Sequence, residues 1–144
     1  MSPDDPFVDF LGCSVLEADP RHAVAQQRPA PELDNHAGVR HAGALFSVGY
    51  AASRALVASA LGATAVTAEA RMLHSEVAYE KVVRDEVVTA TAEPAADWEA
   101  FLERLSDGEV VPLPTSVTLR NDEGQMVTTM SISWNVTPSQ SAVK

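Results

Sequence analysis

Between Asn35 and Gly43 the chain reads Asn-His-Ala-Gly-Val-Arg-His-Ala-Gly, and a long helical pattern begins where this run ends. The first backbone N–H groups of a helix have no intrahelical partners and carry partial positive charge. A substrate carbonyl set against them would be polarised, and an oxyanion developing on it would be stabilised. Gly38 and Gly43 would let a ligand come close to the backbone. His41 would donate a hydrogen bond to such a carbonyl, while Asn35 would hold a water or orient the loop. The same residues would serve equally to cap the helix and stitch the loop. Residue types alone leave both roles open.

The elements that must position this segment follow from periodicity and punctuation. Residues 1–11 predict a short N-terminal helix, with Pro3 and two aspartates at the start, where the helix dipole favours negative charge. Gly12 ends it. Residues 13–19 and 22–28 read as short strands about a turn at Asp19-Pro20. Residues 29–43 form a loop by composition. The central helix is predicted over residues 42–61, with Leu45, Val48, Ala52, Ala55, Leu56 and Ser59 at helical spacing and Gly62 as its stop. Its inward face is rich in alanine, so a curved sheet wrapped around it would have to approach closely. Residues 66–72, 75–82 and 85–93 have strand character, with a turn at Arg84-Asp85. Trp98, Phe101, Leu102 and Leu105 share one face of a short amphipathic helix. Residues 110–120 and 125–136 are predicted strands joined by a hairpin turn over Asn121–Gly124, and residues 138–144 a frayed tail. The expectation is a single α+β domain over residues 1–144, an antiparallel sheet around one long helix.

Composition narrows the partners. Twenty Asp and Glu against ten Lys and Arg give a net charge of −10, which argues against nucleic-acid or anionic-membrane binding. At 46% hydrophobic and 21% charged residues the chain is globular, not disordered. The lone Cys13 predicts buried packing without an internal disulfide, in keeping with a cytoplasmic protein. The acidic start lacks the positive region of a signal peptide. Ser47, Ser53, Arg54 and Ser59 interrupt the one long apolar stretch, so a soluble protein is expected. The four histidines and one cysteine form no zinc spacing, and no Gly-x-Ser-x-Gly elbow, phosphate loop or dinucleotide fingerprint is present. No metal and no separate cofactor is expected.

The chain resembles hotdog-fold acyl-thioester enzymes of the phenylacetyl-CoA thioesterase type. Their pattern, Asn-x-x-Gly-x-x-His-Gly-Gly-x-x-Phe before the central helix, is met by Asn35, Gly38, His41, Gly43 and Phe46. Val77, Tyr79 and Lys81 match the aliphatic-x-Tyr/Phe-x-Lys/Arg run that follows the helix. The family's helix carboxylate, four residues after the Phe, is Tyr50 here, and Ala42 replaces the first Gly of the pair. The usual hydrolytic nucleophile or base is therefore missing. Tyr50 would either donate a hydrogen bond and donate or take a proton, or form an apolar wall.

The resemblance implies a site at a dimer interface, completed by the partner's strand after the helix, here carrying His74, Ser75 and Glu76. His74 and Ser75 would activate and position water. Lys81 and Arg84, with Arg40 and Arg54 as alternates, would meet the phosphates of coenzyme A or of a phosphopantetheine arm carried as part of the substrate. Phe46 would line the substrate channel. The implied function is a thioesterase acting on acyl-CoA or acyl-carrier protein, assembled as a homodimer or dimer of dimers. The alternatives are addition or elimination on an α,β-unsaturated acyl thioester, and a catalytically silent acyl-binding protein.

Overall fold

The computed structural model describes residues 5–139. Six strands, β1 (Cys13–Asp19), β2 (His22–Gln27), β3 (Ala68–Tyr79), β4 (Val88–Pro94), β5 (Val111–Arg120) and β6 (Met126–Pro138), form one antiparallel sheet in the order β1-β2-β4-β5-β6-β3. The sheet wraps around a 21-residue helix, with short helices on either side of it in sequence. We number these α1 (Pro6–Phe10), α2 (Ala42–Gly62) and α3 (Trp98–Ser106). This is the α+β arrangement that the sequence predicts.

Small residues set how close α2 lies to the sheet. Ala23, Ala25, Ala90 and Ala92 on the inner faces of β2 and β4 are fully buried, as are Val48, Ala52 and Val57 of the helix. At Gly49 even one methyl group is too much. A Cβ built there would stand 2.1 Å from Sδ of Met130 on β6. Leu56, Leu113, Leu119, Ile132 and Trp134 fill the wider part of the core.

One polar chain crosses this core, and its direction can be deduced. Thr115 spends its only hydroxyl hydrogen on the Ile132 carbonyl at 2.9 Å, so Ser53 must donate to Thr115 at 2.7 Å. Ser53 Oγ in turn accepts the indole N–H of Trp134 at 2.9 Å. Each buried group has its partner, so the chain pins α2 to β5 and β6.

Several boundaries differ from expectation. α1 begins at Pro6, with Asp5 as its N-cap, because the cap must precede the proline that occupies the first helical position. Residues 1–4 of the predicted helix lie outside the described residues. The runs 66–72 and 75–82 join into the single strand β3, whose register against β6 shifts between Met72 and His74. Leu73 is the extra residue, and this bulge lets Met72 and Tyr79 face the same side although seven residues apart. β6 continues through Pro138, and the Ser139 N–H donates to the Thr67 carbonyl at 2.8 Å. The rest of the predicted tail, residues 140–144, lies outside the described residues. α2 is long and apolar enough to cross a membrane, but it is the core helix that the sheet encloses, 67% buried over its most apolar stretch.

Candidate active site

His41 is the N-cap of α2. Its Nδ1 accepts the Gly43 N–H at 2.8 Å, and its own N–H donates to the Leu33 carbonyl at 2.7 Å. Because Nδ1 accepts, the ring hydrogen belongs on Nε2, on the exposed edge of the ring. The Ala44 and Leu45 N–H groups both turn back to the His41 carbonyl. Gly43, expected to face a substrate carbonyl through its N–H, thus spends that donor on the cap. Among the described residues the N–H left without a partner at this helix start is that of Ala42. Tyr79, at the end of β3, donates its hydroxyl to the Ala42 carbonyl at 3.2 Å and so joins the strand to the helix start. Burial pushes the Tyr79 phenol up.

Asn35 organises the preceding loop. Its side-chain oxygen accepts from the N–H groups of Ala37 (2.9 Å) and Val39 (3.3 Å), and its backbone N–H donates to Val39. Gly38 closes this turn at φ +75°, a conformation that excludes most other residues. The loop is held from below by Arg40, which is 3% exposed. Its guanidinium donates to Gln27 Oε1 at 2.9 Å and to the Glu86 carbonyl. Gln27 passes the connection on to the Ala44 carbonyl in the first turn of α2 at 3.0 Å. Arg40 was expected at substrate phosphates. Its buried head is committed instead to tying loop, sheet and helix start together. Burial pushes its guanidinium down, against the opposing pull of Asp34 and Asp85.

Gly43, Ser47, Tyr50 and Arg54 follow at three- and four-residue spacing and so share one face of α2. Ser47 donates to the Gly43 carbonyl at 2.8 Å. Tyr50 stacks on Trp134, ring centroids 5.9 Å apart. Burial chiefly, then the charge of Asp5, raises its phenol, so the group is a hydrogen-bond donor at neutral pH. A cavity of about 390 Å³ opens beside it, lined by Asp5, Phe7, Phe46, Ser47, Tyr50 and Met72. A second, of about 560 Å³, lies under α1 and β1, where Arg54 and Asp5 meet small side chains including Ala51, Ala55 and Ala58. Phe46, Tyr50 and Arg54 therefore come together around adjoining cavities. Asp5, absent from the sequence expectation, sits in both.

The remaining expected residues lie apart. His74 and Glu76 are exposed on the outer side of β3, with His74 Nε2 3.3 Å from Glu76 Oε2, while Ser75 is half-buried. Lys81 and Arg84 are exposed in the loop after β3, whose Val83 carbonyl accepts the Arg40 N–H. Cys13 is buried as expected. Burial pushes its thiol up, and Gln27 Nε2 lies 3.4 Å from the sulfur. Among the described residues no three His, Cys, Asp or Glu side chains gather in a way that could hold a metal ion.

The sheet order, the enclosed helix and the loop before it define a hotdog fold. The chain is similar to AziG of S. sahachiroi (TM-score 0.78, 19% identity, covering 94% of this chain and 98% of that one). It is similar to a hypothetical thioesterase from Streptococcus pneumoniae TIGR4 solved with coenzyme A (TM-score 0.70, 23% identity, 90% and 88%). A third likeness is to the E. coli PaaI protein of the phenylacetic acid degradation operon (TM-score 0.71, 17% identity, 89% and 86%). No curated protein matches. Residues 2–136 match the family described as "Domain of unknown function (DUF4442)", and the chain belongs to that family.

Proposed function

We propose that the chain is an acyl-thioester hydrolase, acting on acyl-CoA or acyl-carrier protein with the thioester carbonyl held at the start of α2. The observation that carries this reading is the pair of donors there, the Ala42 N–H and the His41 Nε2–H, both without a partner among the described residues. Two such donors stabilise the oxyanion formed when water attacks. The cavity beside Phe46 and Tyr50 takes the acyl group. Lys81 and Arg84 meet the phosphates of the coenzyme A or phosphopantetheine arm, which enters as part of the substrate. The test is coupled release of free thiol from a panel of short, aryl and long acyl-CoAs. We expect thiol release with at least one, and none with any would overturn the reading.

One observation favours a second reading. A phenol held protonated at Tyr50 suits proton donation in addition or elimination on an unsaturated acyl thioester. In the same assay that reaction changes the acyl chain without releasing thiol.

In this reading the site is shared between two chains. The seven residues from Gly43 to Tyr50 advance about 10 Å along the helix axis. Reacting groups must come within about 3–3.5 Å of one another, and the axial gap supports a site whose helix start and Tyr50 wall come from different chains. A two-fold copy brings the Tyr50 wall of one protomer to the helix start of the other. β3 is the edge on which to dock it: twelve residues long, unpaired on one side among the described residues, with Leu73 59% exposed and Met72 and Tyr79 also open. His74 and Ser75 ride on the same edge. Light scattering at micromolar concentration should return twice the chain mass, or four times for a dimer of dimers. A monomer would remove the shared site.

A further inference from the structure

The helix that bears Tyr50 contains no acidic residue, yet hydrolysis needs a group to take the proton of the attacking water. We propose that Asp5, brought in by the segment before α1, supplies that carboxylate, a role that rests on the thioester reading above.

Four observations converge on it. Asp5 is the only carboxylate that lines the cavity beside Tyr50 among the described residues, and its side chain remains 22% exposed there. Its charge, after burial, raises the Tyr50 phenol. Its position is held on both sides. Oδ1 caps α1 through the Val8 N–H at 3.4 Å, and Oδ2 lies 3.7 Å from Arg54 Nε, long enough to leave a lone pair for water. Finally, Pro6 fixes the backbone just after Asp5, and Val8 anchors α1 in the core, so the carboxylate is not on a loose end. Asp9 lines only the larger cavity, and Glu76 points outward from β3.

The step balances without a co-reactant. The Asp5 carboxylate takes a proton from water as the water oxygen bonds to the thioester carbon. The carbon–sulfur bond breaks, and the proton passes from the Asp5 carboxylic acid to the departing thiolate. Free acid and free thiol leave, and the carboxylate is restored. Tyr50 donates to the carboxylate or to the water and sets its direction.

Asp5→Asn keeps a good helix cap, so the fold should survive. It should lower kcat on the best thioester by about 10²- to 10⁴-fold with little change in KM. In the Asp5→Asn background, Tyr50→Asp returns a carboxylate to the same wall and should recover about tenfold or more of the lost rate. A readout free of turnover accompanies these. The chain has two tyrosines, and in a Tyr79→Phe background Asp5→Asn should move the ultraviolet phenolate titration of Tyr50 to lower pH. Wild-type turnover in Asp5→Asn, while the parent hydrolyses thioesters, overturns the role of Asp5 alone. A parent that hydrolyses no thioester overturns the reading beneath it as well.

Discussion

Arg40→Ala should lower the free energy of unfolding by about 3 kcal/mol, the largest stability loss expected from a single loop residue here. Two hydrogen bonds from a buried guanidinium are removed, and the Gln27 side-chain oxygen and Glu86 carbonyl lose their donor. Hydrogen bonds to charged groups are worth about 1.5–3 kcal/mol each, and relief of the burial of an Arg40 Nε with no partner returns part of that. For a domain of this size the urea midpoint should fall by about 1–2 M. Arg40→Lys should recover little, because one ammonium cannot reach two acceptors in the fork geometry of a guanidinium. The loss should also reach the candidate site, since Gln27 links Arg40 to the Ala44 carbonyl in the first turn of α2. A loss below about 1 kcal/mol would remove the structural role and return Arg40 to the substrate side.

The misplacement of Arg40 shows where the limits of the sequence lie. An arginine in a polar loop looks solvated, and only the packing of residues 80–87 and of β2 against that loop buries it. The same holds for Asp5. Five residues from the start, in an acidic run, it reads as helix-dipole decoration. Its closeness to Tyr50 exists only because α1 folds back on α2, and no local pattern encodes that return. What was legible had short-range causes. The Asp19-Pro20 turn, the Asn121–Gly124 hairpin and the 3.6-residue repeat of Leu45, Val48, Ala52 and Leu56 each depend on neighbours in sequence, and each stands where its residues predict. The alanines of α2 carried longer-range information, because a helix face that small demands a close partner, and Ala23, Ala25, Ala90 and Ala92 provide one. The bulge at Leu73 was not legible. Two strand-like runs separated by two residues predict two strands, and only pairing with β6 shows one strand with a residue to spare.

Of the site itself, the loop before α2 was legible as a place and ambiguous as to chemistry. Asn35 is engaged in local bonds, which accounts for its presence without a substrate. His41 carries both roles at once, because an imidazole has two nitrogens and the cap uses only one.

That division makes His41 the sharpest test of the helix start. His41→Asn should leave stability within about 0.5 kcal/mol of the parent, since the asparagine oxygen can accept the Gly43 N–H as Nδ1 does. His41→Ala lacks any acceptor and should lose about 1 kcal/mol. Turnover should follow a different rule. Nε2 lies further from the backbone than any atom of asparagine, so both variants lose the donor to the thioester oxyanion. Each should lower kcat by about 10²-fold, as removal of one oxyanion donor does elsewhere. The effect should fall on kcat more than on KM, because the donor gains strength only as charge develops on the carbonyl oxygen. The Ala42 N–H remains in both variants, so residual hydrolysis above the water rate should persist. If His41→Asn is as stable and as fast as the parent, the histidine is a helix cap alone, and the oxyanion must be held elsewhere.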